Sequence, residues 1–315
     1  MRSVPAGAGE PSAPAVAGEQ SVSAGVAAGA TFGSRLAAAM RVHGRLCVGL
    51  DPHPQLLTDW GLTQDAAGLR EFSARVLEAC TGRVGVLKPQ VAFFERFGVS
   101  GMQVLSEVQH QARAAGLLVI ADAKRGDIGS TMAGYAEAWL NPEADFGADA
   151  LTVSPYLGFG SLQPAVEAAA RHQAGLFVLG LTSNPEGQQV QLARDAQGVT
   201  VAGQIAAEAA AASAALTRAA GEDPGAAELG SIGLVVGATT ARLAAEHRID
   251  LRAGRMPLLA PGYGAQGADA QALRTGFGAS YPSQVLVNSS RGVLRHGPDP
   301  VSLTRAIESA TADLG

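Results

Sequence analysis

Gly116-Leu-Leu-Val-Ile-Ala-Asp-Ala-Lys-Arg-Gly-Asp127 begins as an unbroken apolar run and ends as a row of charges. The first five residues read as a strand buried on both faces, the mark of a parallel sheet covered by helices. Asp122 and Lys124 are two apart, so on an extended chain their side chains leave the same face. Asp127 follows past Gly126, where the chain turns away. Folding offers no reason to crowd two acids and a base onto the exit of one hydrophobic strand; a reactive or ligand-binding site does.

Outward from this stretch, apolar runs alternate with segments of helical period. Strands are expected at 46–51, 84–88, 116–120, 148–154, 176–181, 232–237, 256–260 and 284–288. Helices are expected near 32–42, 65–80, 99–115, 130–140, 162–172, 202–218, 239–247 and 298–312. The stretch 182–199 is a long loop of the kind that binds or covers a ligand, and 221–230 reads as a solvated insertion. Strands alternating with helices predict an α/β TIM (β/α)8 barrel, closed by right-handed crossovers. A doubly wound open sheet would want a glycine-rich turn after the first strand, and Asp51-Pro-His-Pro54 stands there instead. Residues 1–30, rich in Ala, Gly, Ser and Pro, cannot bury enough surface to fold and read as a disordered tail. That leaves 31–315 as a single barrel domain.

At 47% hydrophobic and 16% charged residues over 315 positions, core material is ample. A net charge of -5 argues against a general affinity for nucleic acid or an anionic membrane. No apolar run approaches the ~20 residues of a membrane helix. Cys47 and Cys80 lack metal-ligand spacing and read as buried free thiols of a cytoplasmic protein. Of 23 Lys and Arg residues only Lys88 and Lys124 are lysines, and both end predicted strands. Lysine differs from arginine in holding a proton its surroundings can tune. The pair therefore reads as functional, against the plainer alternative of two salt-bridge partners.

In such a barrel the chemistry collects at the C-terminal strand ends. Those ends carry Asp51, Lys88, Asp122 with Lys124, Ser154, Ser183, Gln266, Ser290 and Arg291. Singly, Asp51 could be a turn residue and Ser154 a helix cap; together they make a polar floor. Gly262-Tyr-Gly-Ala-Gln-Gly267 offers unhindered amides and Ser290-Arg291-Gly292 a cation, so a phosphorylated ligand is expected after strands seven and eight. The six histidines are scattered with no ligand-like spacing, and Lys88 would repel a central cation, so no metal is expected.

Asp122-Ala-Lys124-Arg-Gly-Asp127 matches the Asp-x-Lys-x-x-Asp motif of orotidine 5'-phosphate decarboxylases, and the chain resembles the longer bacterial subgroup of that family. Val48-Gly-Leu-Asp-Pro-His-Pro54, Leu87-Lys-Pro-Gln-Val-Ala-Phe-Phe94, Ser154-Pro-Tyr-Leu-Gly-Phe-Gly160, Thr182-Ser-Asn-Pro185 and Pro261-Gly-Tyr-Gly-Ala-Gln-Gly267 resemble its other blocks, covering about residues 32–312. The resemblance implies cofactor-free decarboxylation of orotidine monophosphate to UMP in pyrimidine biosynthesis, by a homodimer with shared active sites. It implies that Lys124 protonates C6, that Asp122 sits by the substrate carboxylate, and that Lys88 and Asp127 complete a charge network. Asp127 and Thr131 would reach a neighbouring subunit's site. Asp51 and Thr131 would bind ribose hydroxyls, Ser183 the pyrimidine, and Gln266 and Arg291 the phosphate, with Ser290 a further substrate-binding residue. Three alternatives stay open: a Mg2+-dependent sugar-phosphate enzyme of the same barrel group, a Schiff-base aldolase using Lys88 or Lys124, and a non-catalytic nucleotide-binding regulator.

Overall fold

A computed structural model describes residues 30–264 and 267–315. The expected tail, apart from Ala30, and Gln266 lie outside the described residues. Eight strands, β1 (Leu46–Leu50), β2 (Val86–Pro89), β3 (Leu118–Arg125), β4 (Ala150–Val153), β5 (Gly175–Leu181), β6 (Ile232–Val236), β7 (Leu258–Pro261) and β8 (Val285–Ser289), pair in parallel and in chain order. β8 closes on β1, giving the expected barrel.

Strand alternation sorts the side chains. Leu46, Val48 and Leu50 point outward and join the core shared with the helices. Cys47, Val86, Ile120, Ala150, Phe177, Val235, Leu259 and Leu286, one residue per strand, form an apolar layer inside the barrel. The first helix, Phe32–His43, seals this layer from below, with Phe32 edge-on to Phe177 at 6.0 Å between ring centres. Two residues further along five of these strands the inward positions change character: Gly49, Lys88, Asp122, Thr152 and Asn288 stand above the apolar layer. The polar floor is thus the second storey of a period-two pattern whose first storey is hydrophobic.

Several elements differ from expectation. β3 does not stop at Ile120 but runs to Arg125, so the charged stretch is part of the sheet. A helix, Ala270–Phe277, connects β7 to β8 where none was expected; Asp269 caps it by accepting from Ala272 N at 2.7 Å. Another short helix, Pro54–Asp59, follows β1, with His53 as its cap. The insertion 221–230 is not merely solvated: Leu229 is buried beneath the barrel, and Glu222 accepts hydrogen bonds from Thr31 and Ser34 at the start of the first helix. The long segment after β5 holds two short turns of helix, Pro185–Gly187 and Gln188–Gln191.

Candidate active site

The charge row is assembled from three adjacent strands. Lys88 on β2 and Asp122 on β3 are both buried, and Lys88 Nζ lies 2.6 Å from Asp122 Oδ2. Lys124, half-exposed, places Nζ 2.5 Å from Asp122 Oδ1. Thr152 on β4 donates its hydroxyl to the same Oδ1 at 3.0 Å. Gln90, two residues past Lys88 on its face, completes the set once its amide is oriented to suit both neighbours. Its NH2 then donates to Asp122 Oδ2 at 2.6 Å and its oxygen accepts from Lys124 Nζ at 3.2 Å.

Four donors on one carboxylate fill its lone-pair capacity, and an ionised acid is the form that accepts them all. The electrostatics of the buried groups agree. Burial alone would raise the Asp122 carboxyl, but the ammoniums of Lys88 and Lys124 overcome it and hold the group well below the usual range. Burial alone would likewise lower Lys88; the carboxylates of Asp122 and Asp51 reverse that and hold it above its ordinary value. At Asp51 desolvation is the largest influence and the pKa moves up, against the pull of Lys88 and a hydrogen bond from Ser290.

Lys124 reaches its place by a break in the strand. The pairing of β3 with β4 shifts between Ala121 and Arg125. Inside the shift Lys124 has φ +49°, a left-handed conformation that costs a residue with a side chain roughly 1–2 kcal/mol. The regular alternation expected of Asp122 and Lys124 therefore does not hold, although the two side chains do meet. Beyond the shift, Gly126 passes so close to β4 that a Cβ would fall 2.5 Å from the Ser154 carbonyl oxygen. Arg125 points outward, pairs with Glu95 and lies over the Trp139 ring at 5.4 Å, bracing the strand exit from outside.

These groups open into a cavity of about 730 Å3, ample for a nucleoside monophosphate. Asp51, Ser183, Ser290 and Arg291 line it together with Lys88, Asp122 and Lys124. Gly49 makes room at the β1–β8 seam: a Cβ there would lie 1.9 Å from Ser290 Oγ. Asp51 Oδ1 and Asn288 Oδ1 have no hydrogen-bond partner among the described residues, and both belong to residues lining the cavity. Asp127 and Thr131 are not brought in: Asp127 Oδ1 accepts from Ile128 N at 2.8 Å, and Thr131 is exposed on the helix Gly129–Leu140. Gln90, Thr152 and Asn288 were missed in the sequence. Period two marks them all: each stands two residues past an inward-facing one, Lys88, Ala150 and Leu286.

Among the described residues no cluster of three His, Cys, Asp or Glu side chains is disposed to hold a metal, and no helix is long and apolar enough to cross a membrane. Both cysteines are buried and unpaired, and burial pushes the Cys47 thiol up to about 12.

Comparison with known proteins agrees with this geometry. Residues 44–307 match the model of the orotidine 5'-phosphate decarboxylase / HUMPS family. Over 283 residues the chain is 54% identical to the orotidine 5'-phosphate decarboxylase of Streptomyces coelicolor, covering 90% of this chain and 96% of that one. The same enzyme of Salinispora tropica is 52% identical with the same coverage. A crystal structure from Streptomyces avermitilis, assigned to the same enzyme, superposes with a TM-score of 0.83 at 53% identity, over 90% of this chain and 94% of that one. With a family model spanning most of its length and relatives above half identity, the chain belongs to the orotidine 5'-phosphate decarboxylase family.

Proposed function

We propose that the cavity decarboxylates orotidine 5'-monophosphate to UMP and CO2 with Lys124 as proton donor, needing neither metal nor coenzyme. The observation that carries this reading is the occupancy of the lysine. Of its three N–H bonds, Asp122 and Gln90 engage two, which leaves the third for the substrate. As the C6–carboxylate bond breaks, its electron pair stays on C6 and CO2 departs; the Lys124 N–H bond then breaks and its proton joins C6. A fixed ammonium beside that carbon stabilises charge present only in the transition state. Asp122, fully bonded on both oxygens, cannot turn away from the substrate carboxylate and keeps it pressed toward departure.

Arg291 and the Ser290 region hold the phosphate, with Gln266 assigned to the same end. Asp51, with a free oxygen, takes a ribose hydroxyl, and Ser183 takes the pyrimidine. Asp127 and Thr131, outside their own cavity, are assigned to the site of a second copy in a homodimer. The exposed apolar side chains of Ile128, Tyr156 and Leu157 on the same strand exits favour such a contact. Lys88 argues against the metal-dependent alternative, because its ammonium stands beside Asp122 where a cation would need a ligand.

An absorbance assay on orotidine monophosphate, run with and without EDTA, tests the whole reading. Turnover is expected to be equal in both. Lys124→Ala should lower kcat by at least ~10^4, while UMP still binds by calorimetry. Loss of activity on chelation, or wild-type turnover in Lys124→Ala, overturns it.

A further inference from the structure

We infer that Thr152, buried beneath the charge row, is the positioning residue for Lys124: one hydroxyl fixes both the backbone and the ion-pair partner of the proton donor. The inference rests on the reading of Lys124 given above.

The geometry lies in the break of β3. Ala121 pairs with Leu151, and the next paired positions are Arg125 and Val153. Asp122, Ala123 and Lys124 therefore face Thr152 alone. In a regular ladder the Lys124 N–H would find a carbonyl of β4; here it donates to Thr152 Oγ1 at 2.9 Å. The same hydroxyl donates to Asp122 Oδ1 at 3.0 Å, the oxygen on which Lys124 Nζ rests. The hydroxyl thus closes a ring that runs from the lysine's backbone, through Thr152 and the Asp122 carboxylate, to the lysine's own ammonium. A left-handed residue persists only where its surroundings over-determine it, and Thr152 supplies the bond that does so. Thr152 is 1% exposed, and its hydroxyl is committed to these two bonds. Valine there would keep the volume and leave the Lys124 N–H without an acceptor.

Thr152→Val is expected to lower kcat about 100-fold with KM within about threefold, since a misplaced reacting group loses rate before it loses ground-state binding. Thr152→Ser, which keeps the hydroxyl, should recover most of the loss. A second readout needs no substrate: hydrogen exchange at the Lys124 amide should accelerate in Thr152→Val and not in Thr152→Ser. Should Thr152→Val fail to fold, Thr152→Ala serves for the same comparison. Unchanged kcat and unchanged amide protection overturn the inference. So does a parallel fall of kcat, UMP affinity and melting temperature that serine does not rescue, which would mark a packing role only. A wild-type chain inactive on orotidine monophosphate would sink the functional reading instead, and the amide exchange would still decide the role of Thr152.

Discussion

Lys88 and Asp122 carry opposite charges into a place neither would enter alone. Taking an ion from water costs several kcal/mol even after relaxation, and a buried pair offsets this only when its remaining donors and acceptors are satisfied. Here Asp122 meets that condition with four donors. The pair also sets a pH window. The Asp122 carboxyl is held below its ordinary value of 3.8, so its contribution to stability is complete above that pH and drains away below it. Lys88 is held above 10.5, so its contribution is complete below that pH and drains away above it. Between the two limits the pair should contribute a flat plateau. Lys88→Met should destabilise the protein by about 3–5 kcal/mol at neutral pH, because Asp122 is left buried with one ammonium fewer. Thermal melts from pH 3 to 11 check both statements; a Lys88→Met profile coinciding with wild type at neutral pH refutes them. Asp127 illustrates the opposite case, an acid whose position in the motif was plain but which meets no member of the charge row and instead accepts from the N–H of Ile128.

At the scale of elements, the strands do two jobs at successive heights. Their first inward residues form the apolar layer, and the next ones form the floor of the cavity. The helix Phe32–His43 supports this arrangement from below, since Phe32 fills the barrel's lower mouth against Phe177. Glycine at 175 permits that contact: a Cβ there would sit 2.2 Å from the Phe32 ring. Phe32→Ala should cost about 3–5 kcal/mol of stability through the cavity it leaves. The cavity lies at the far end from the chemistry, so kcat on the folded protein is expected to stay near wild type. Urea unfolding beside a kinetic assay checks this, and equal losses in both would mean that the barrel floor and the site are coupled. On the other side, the segment after β5 is tied back by Gln191, whose side chain accepts from Thr182 N at 3.0 Å and donates to Thr182 Oγ1 at 2.7 Å. That tie anchors the long loop next to Ser183.

For the whole molecule the decisive question is how many chains complete one site. Asp127 and Thr131 stand outside the cavity of their own chain, while every other proposed residue among those described lines it. If a second copy supplies them, Lys124→Ala and Asp127→Ala chains, each inactive alone, should regain activity when mixed. A heterodimer of the two contains one site with both residues intact, so the mixture should approach about a quarter of wild-type activity under random exchange. Recovered activity after co-refolding, followed against the fraction of heterodimer, checks this. Well-mixed heterodimers without activity would show that each chain works by itself.

The eight-fold strand pattern, the charges at the strand exits and the ordered motif blocks were legible in the sequence, because period and residue type are local properties. The helix 270–277 was not foreseen: it is short and leans on Asp269 as its cap rather than on a long apolar stripe. Gln90 and Thr152 bear ordinary side chains whose roles exist only where neighbouring strands bring them beside Asp122, whereas Asn288 meets Ser290 within its own strand exit. The left-handed turn at Lys124 likewise depends on β4, since no local preference of lysine favours it. The sequence determined which charges this barrel would carry and on which strands. Only the tertiary structure decided their hydrogen-bond partners, because a bond between strands thirty residues apart is set by sheet register and by the single slip that lets Lys124 fold back onto Asp122.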